Sequence, residues 1–68
     1  MEPKIGEVWS WHRDSSKSDE IYGPGIVLGF KAGYEYDSRQ PFVTFHFAEK
    51  GVMSLPVDMV LRFMYQIT

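Results

Sequence analysis

Ser10, His12 and Asp14 alternate along one stretch of the chain, and these are the three side-chain types of a nucleophilic relay. On a strand, residues two apart share a face, so Ser10 and His12 would stand side by side. Acyl-transfer chemistry also needs an oxyanion hole, and the sequence has no Gly-x-Ser-x-Gly elbow to build one. The triplet therefore reads as a solvent-facing strand end, and no catalytic residues are expected. A metal site could draw on His12 and His46 together with Asp14, Asp37 or Glu49. However, no two histidines stand two or four residues apart, and the chain has no cysteine. No metal or other cofactor is expected.

The remaining chemistry lies in the rings. The 68 residues include five Phe, four Tyr and two Trp, a 16% aromatic share. Trp9, Trp11, Tyr22, Tyr34, Tyr36 and Phe42 could stack on bases, but single-strand binders pair such rings with a cationic groove. Here Arg13, Lys17, Lys31 and Arg39 are interleaved with Asp14, Asp19, Glu20, Glu35 and Asp37, and the net charge is −2. Phosphate attraction is cancelled locally, so nucleic acid is a disfavoured partner. Trp9 or Trp11 with Tyr34 and Tyr36 could cage a methylated ammonium only if three or four rings met at one place. Trp and Tyr are also the residues most enriched at protein-binding hot spots.

The elements that position these rings follow from period-two alternation. Strands are predicted over residues 7–12, 25–30, 42–47, 52–55 and 60–67, each rich in β-branched and aromatic residues. Long polar connections cover residues 13–25, closed by Gly23-Pro24-Gly25, and residues 31–41. Residues 48–51 form a hairpin turn with Gly51 at a position suited to positive φ, and residues 56–59 a single helical turn. A continuous helix over 52–65 competes, but Pro56 falls inside it. The expected core is Val8, Ile26, Leu28, Val43, Phe45, Val52, Leu55, Val60 and Leu61. One face of the first strand joins that core. Val8 and the tryptophans alternate, so both cannot point inward without a bulge. Gly25 and Gly29 are expected where the backbone bends or is closely approached.

The whole chain reads as one domain. Hydrophobic residues make up 44% and charged residues 24%, a globular balance. No apolar run nears the ~20 residues of a membrane helix, and Met1-Glu2-Pro3-Lys4 does not begin a secretory signal. The cytoplasm is the expected compartment. A core this small rarely yields more than about 3–5 kcal/mol, which points to a closed architecture, a partner or self-association.

Five short strands in this length suggest a bent antiparallel barrel. Gly6-Glu7-Val8, Gly23-Pro24-Gly25-Ile26-Val27-Leu28, Val43-Thr44-Phe45, Lys50-Gly51-Val52-Met53-Ser54-Leu55 and Val60-Leu61 follow one another in order. Over residues 5–61 this pattern resembles the Tudor-like, SH3-like barrel at the C-terminal end of bacterial repair helicases and in transcription-associated modules. The resemblance implies an all-β, five-stranded SH3-like barrel with one short helical turn. It also implies a non-enzymatic interaction module that docks onto a larger assembly, such as RNA polymerase, repair machinery or a phage-type complex. Gly6-Glu7-Val8-Trp9-Ser10-Trp11 and Pro24 also resemble the first strands of the SH3-like toxin ribonucleases. That family carries Arg before this proline, where this chain has Gly23, and no matching catalytic Thr or Ser follows. Large apolar residues exceed what so small a barrel encloses, with Phe42, Met53, Phe63, Met64, Tyr65 and one tryptophan face as candidates for the surplus. Trp9, Trp11, Tyr34, Tyr36 and Phe63 are the expected partner-binding residues, and homo-oligomerisation would serve the same surplus.

Overall fold

Val43, Phe45 and Phe47 alternate with Phe42, Thr44 and His46, and the third strand places the first set inward as this pattern predicts. The computed structural model describes residues 2–12 and 20–68. Five antiparallel strands form one sheet: β1 (Val8–Trp11), β2 (Gly25–Lys31), β3 (Phe42–Phe47), β4 (Gly51–Pro56) and β5 (Met64–Gln66), in the order β4-β3-β2-β1-β5. A 3-10 turn (Gly33–Tyr36) lies between β2 and β3, and helix α1 (Val57–Phe63) joins β4 to β5. Among the described residues the fold is thus mostly β, with one short helix, α1, between β4 and β5 and a helical turn at 20–22.

The register decides which side chains are inside. Residues directly opposite in an antiparallel pair share a face. Phe45 faces Val27 and Met53, Val43 faces Leu55, and Phe47 faces Gly25, which makes these the inner rows. His46 faces Ile26 and Val52, and Ile26 faces Val8, which makes these the outer row. The core is accordingly Trp9, Trp11, Val27, Val43, Phe45, Phe47, Leu55, Val60 and Met64.

Of the expected core, Val43, Phe45, Leu55 and Val60 are buried, whereas Val8, Ile26, Leu28, Val52 and Leu61 are not. Two small features explain the inversion on β2. A Cβ added to Gly25 would lie 2.7 Å from Phe47 Cδ1, so position 25 must face the core ring and position 27 with it. The register then shifts between Val27 and Gly29, a bulge that leaves Leu28 outside the inner row. On β4, Val52 and Leu55 are three apart and so lie on opposite faces, and only Leu55 opposes an inner residue.

Trp11 anchors the core through its ring and its one polar group. Its ring packs on both Tyr22, 5.4 Å away, and Phe47, 5.8 Å away, which also touch each other at 5.4 Å, and Phe47 continues the cluster to Phe45 at 5.0 Å. Its Nε1–H donates to the Gly23 carbonyl at 3.1 Å, and Trp9 Nε1–H donates to Glu7 Oε1 at 3.1 Å. Burying both indoles therefore strands no donor. Both tryptophans expected at a partner surface are interior: Trp9 is 3% exposed and Trp11 6%.

The last expected strand is shorter than the alternation over 60–67 suggests. The helical turn after Pro56 runs on to Phe63, and strand pairing begins only at Met64. Val57, Val60 and Met64 are spaced i, i+3 and i+7, which is also a helical stripe, and Val60 and Met64 are buried. Pro56 stands just before the helix, where its missing N–H costs nothing. Asp58 in the first turn and Arg62 in the last suit the helix dipole. Pairing with β1 extends past β5, since Ile67 N–H donates to Val8 O at 2.7 Å and Val8 N–H to Thr68 O at 2.6 Å.

Candidate interaction surface

The loop between β2 and β3 is built to hold its tyrosines outward. Glu35 N–H donates to Ala32 O and Ser38 N–H to Gly33 O, closing the 3-10 turn from both sides. Glu35 Oε2 accepts from Ala32 N–H at 3.2 Å. Asp37 adopts a left-handed conformation at φ 55°, a region that aspartate tolerates better than bulky residues. The far side of the loop is pinned to α1: Pro41 O accepts from Val57 N–H at 3.0 Å, and Gln40 Oε1 from Asp58 N–H at 2.8 Å. A ten-residue connection is thereby fixed at both ends and across its middle.

On this scaffold Tyr34 is 81% exposed. Tyr36 is exposed on one side and stacks on Phe42, with ring centroids 4.2 Å apart and planes 23° from parallel. Phe42 opens β3 and stands opposite Lys31 and Pro56. Phe63 is exposed at the end of α1. The expected binding residues thus divide. Tyr34, Tyr36 and Phe63 are on the surface, and Trp9 and Trp11 are in the core. Tyr36 and Phe42 are brought together, but a cage that borrows an indole does not form, because neither indole reaches the surface.

A second exposed apolar region went unnoticed in the sequence. The outer row runs Val52, His46, Ile26 and Val8 across β4, β3, β2 and β1, and ends on Ile67 just past β5. Val52 is 64% exposed, and Ile26 and Ile67 are also exposed. The signal that could have found it was His46. An imidazole on an alternating strand marks the wetter face, and the strand partners opposite it inherit that face.

The polar candidates are dispersed. Ser10 is half-buried on the outer face of β1 opposite Tyr65, and the exposed His12 lies 5.3 Å from the Tyr65 ring. His46 stands on β3 between Ile26 and Val52. Asp14, Arg13, Lys17 and Asp19 lie outside the described residues. Among the described residues, no three His, Asp or Glu side chains converge as a metal set. Nor is any helix among them long and apolar enough to cross a membrane. No protein-family profile, curated protein or solved structure matches the chain.

Proposed function

We propose that the chain is an SH3-like barrel of Tudor type. In this reading it is a non-enzymatic module that binds a larger cytoplasmic protein assembly, of the kind found in transcription, repair or phage machinery. The observation that carries the reading is Tyr34, held outward at 81% exposure by a loop whose backbone is already fixed. A large ring on a pre-ordered loop contributes contact area without the ordering cost that a floppy loop would add on binding. The Tyr36–Phe42 stack and Phe63 supply further apolar area. The barrel reading is supported by the strand order β4-β3-β2-β1-β5, with a helical turn between β4 and β5 and a long connection between β1 and β2.

The test is quantitative capture from native host lysate with wild-type protein and with Tyr34→Ala as bait. A protein or complex retained by wild type and lost with Tyr34→Ala, at unchanged thermal midpoint, supports the reading. Equal retention by both baits removes Tyr34 from the function. Titration against short single-stranded DNA and RNA discriminates the nucleic-acid alternative. Micromolar affinity that falls steeply with salt would put that alternative first. Cleavage of RNA by purified protein would favour the ribonuclease alternative.

A further inference from the structure

β4 is an edge strand with little of the usual protection. It pairs with β3 from Gly51 to Pro56 without a register break. Among the described residues no backbone hydrogen bond reaches its other side. Natural sheets guard such edges with charged side chains, bulges, prolines or very short strands. β4 is six residues long, carries no Asp, Glu, Lys or Arg, and has its one proline at the last position. The opposite edge is β5, three residues long, with Ile67 and Thr68 continuing its pairing to β1.

We propose that β4 is a self-association edge, on which two copies pair antiparallel about a two-fold axis at Ser54. Two constraints on the page select this occupant and register. Inner rows must meet inner rows, so the axis must pass through a residue rather than between two. Centred on Ser54, Met53 of one copy faces Leu55 of the other and Val52 faces Pro56, which keeps the faces matched. The same centre lies four residues from both Lys50 and Asp58. The exposed cation just before β4 in one copy therefore meets the end where the exposed carboxylate of the other stands in the first turn of α1. A parallel pairing would set Lys50 beside Lys50. The interface rests on main-chain pairing and this charge match, and its small area puts it among the weak, transient class. It leaves the exposed Tyr34 ring free, although Asp58 N–H also holds Gln40 of that loop.

Sedimentation equilibrium from about 1 µM to 1 mM measures the association directly, and wild type is expected to dimerise with a Kd of tens to hundreds of µM. The outward-facing Ser54 pair on the axis provides the decisive variants. Ser54→Lys sets two ammonium groups opposite each other and Ser54→Glu two carboxylates, so each should weaken the dimer about 10-fold or more. An equimolar mixture should form a heterodimer at least as tight as wild type. Lys50→Glu and Asp58→Lys should each weaken association, and the double variant should restore it. Circular dichroism and thermal melting confirm that every variant is folded. Tyr34→Ala should leave the Kd unchanged. Wild type monomeric throughout overturns the proposal, and would leave the edge to an extended segment of another protein. So would a Ser54→Lys dimer as tight as wild type, or a mixture no tighter than its parents.

Discussion

The two faces of this sheet both carry apolar side chains and differ in what completes them. The inner face carries Trp9, Trp11, Val27, Phe45, Phe47 and Leu55, and is closed by Val60 of α1 and Met64 of β5. The outer face carries Val8, Ile26, Leu28, Val52 and Ile67, and nothing among the described residues covers it. Rings fill the inside because a stack of flat side chains fills the narrow space between strands, and each indole N–H finds an acceptor. The outside holds aliphatic side chains, interrupted by Ser10, Thr44, His46 and Ser54. Hydrophobicity alone does not rank the faces. What ranks them is whether a residue's partners across the sheet can also be dry.

The largest expected effect comes from crowding the inner face. Gly25→Val would drive a side chain into the Phe47 ring, where contact is already closer than a Cβ tolerates. A loss of about 3 kcal/mol or more is expected, close to the whole stability of so small a domain. Circular dichroism should show a largely unfolded chain. A folded Gly25→Val protein would mean that position 25 does not face the core.

Next in size is Trp11→Phe. It removes the donor to Gly23 O and part of the stack with Tyr22 and Phe47, leaving a buried carbonyl short of a partner. A loss of about 1–3 kcal/mol in urea unfolding is expected. Tyr36→Ala removes only the stack on Phe42, and should cost about 0.5–1.5 kcal/mol. The smallest effect belongs to the outer face. Ile26→Thr should move stability by no more than about 0.5 kcal/mol while raising solubility. If Ile26→Thr destabilised more than Trp11→Phe, the order of the two faces would be reversed.

The strands were legible in the sequence because alternation is a local property. β3 was legible in its bounds and in Val43 and Phe45 as core, since these alternate with Thr44 and His46, but the fully buried Phe47 was not among the expected core residues. The phase of β1, β2 and β4 was not, because Val8 with Trp9, or Ile26 with Val27, offers an apolar residue on either side. Phase is fixed by the neighbour: Phe47 needs Gly25 beneath it, and only pairing shows that they meet. Residues 60–63 were misread because Val60, Leu61 and Phe63 satisfy strand and helix spacing alike, and Pro56 sets the start of a helix without showing its length. For the surface, Phe63 was legible as a surplus ring and Tyr34 as a ring set in a polar loop. The buried tryptophans were not, since an indole serves an interface or a core equally well until its N–H partner is known.

One measurement tests the division of faces directly. Proton NMR with a soluble paramagnetic agent reads the exposure of each ring in solution. The Trp9 and Trp11 indoles and the Phe45 and Phe47 rings should keep sharp signals, while the Tyr34 ring broadens first and Tyr36, Phe63 and Tyr65 follow. Bleached indole signals beside a protected Tyr34 ring would contradict the fold's inner face and the proposed interaction surface together.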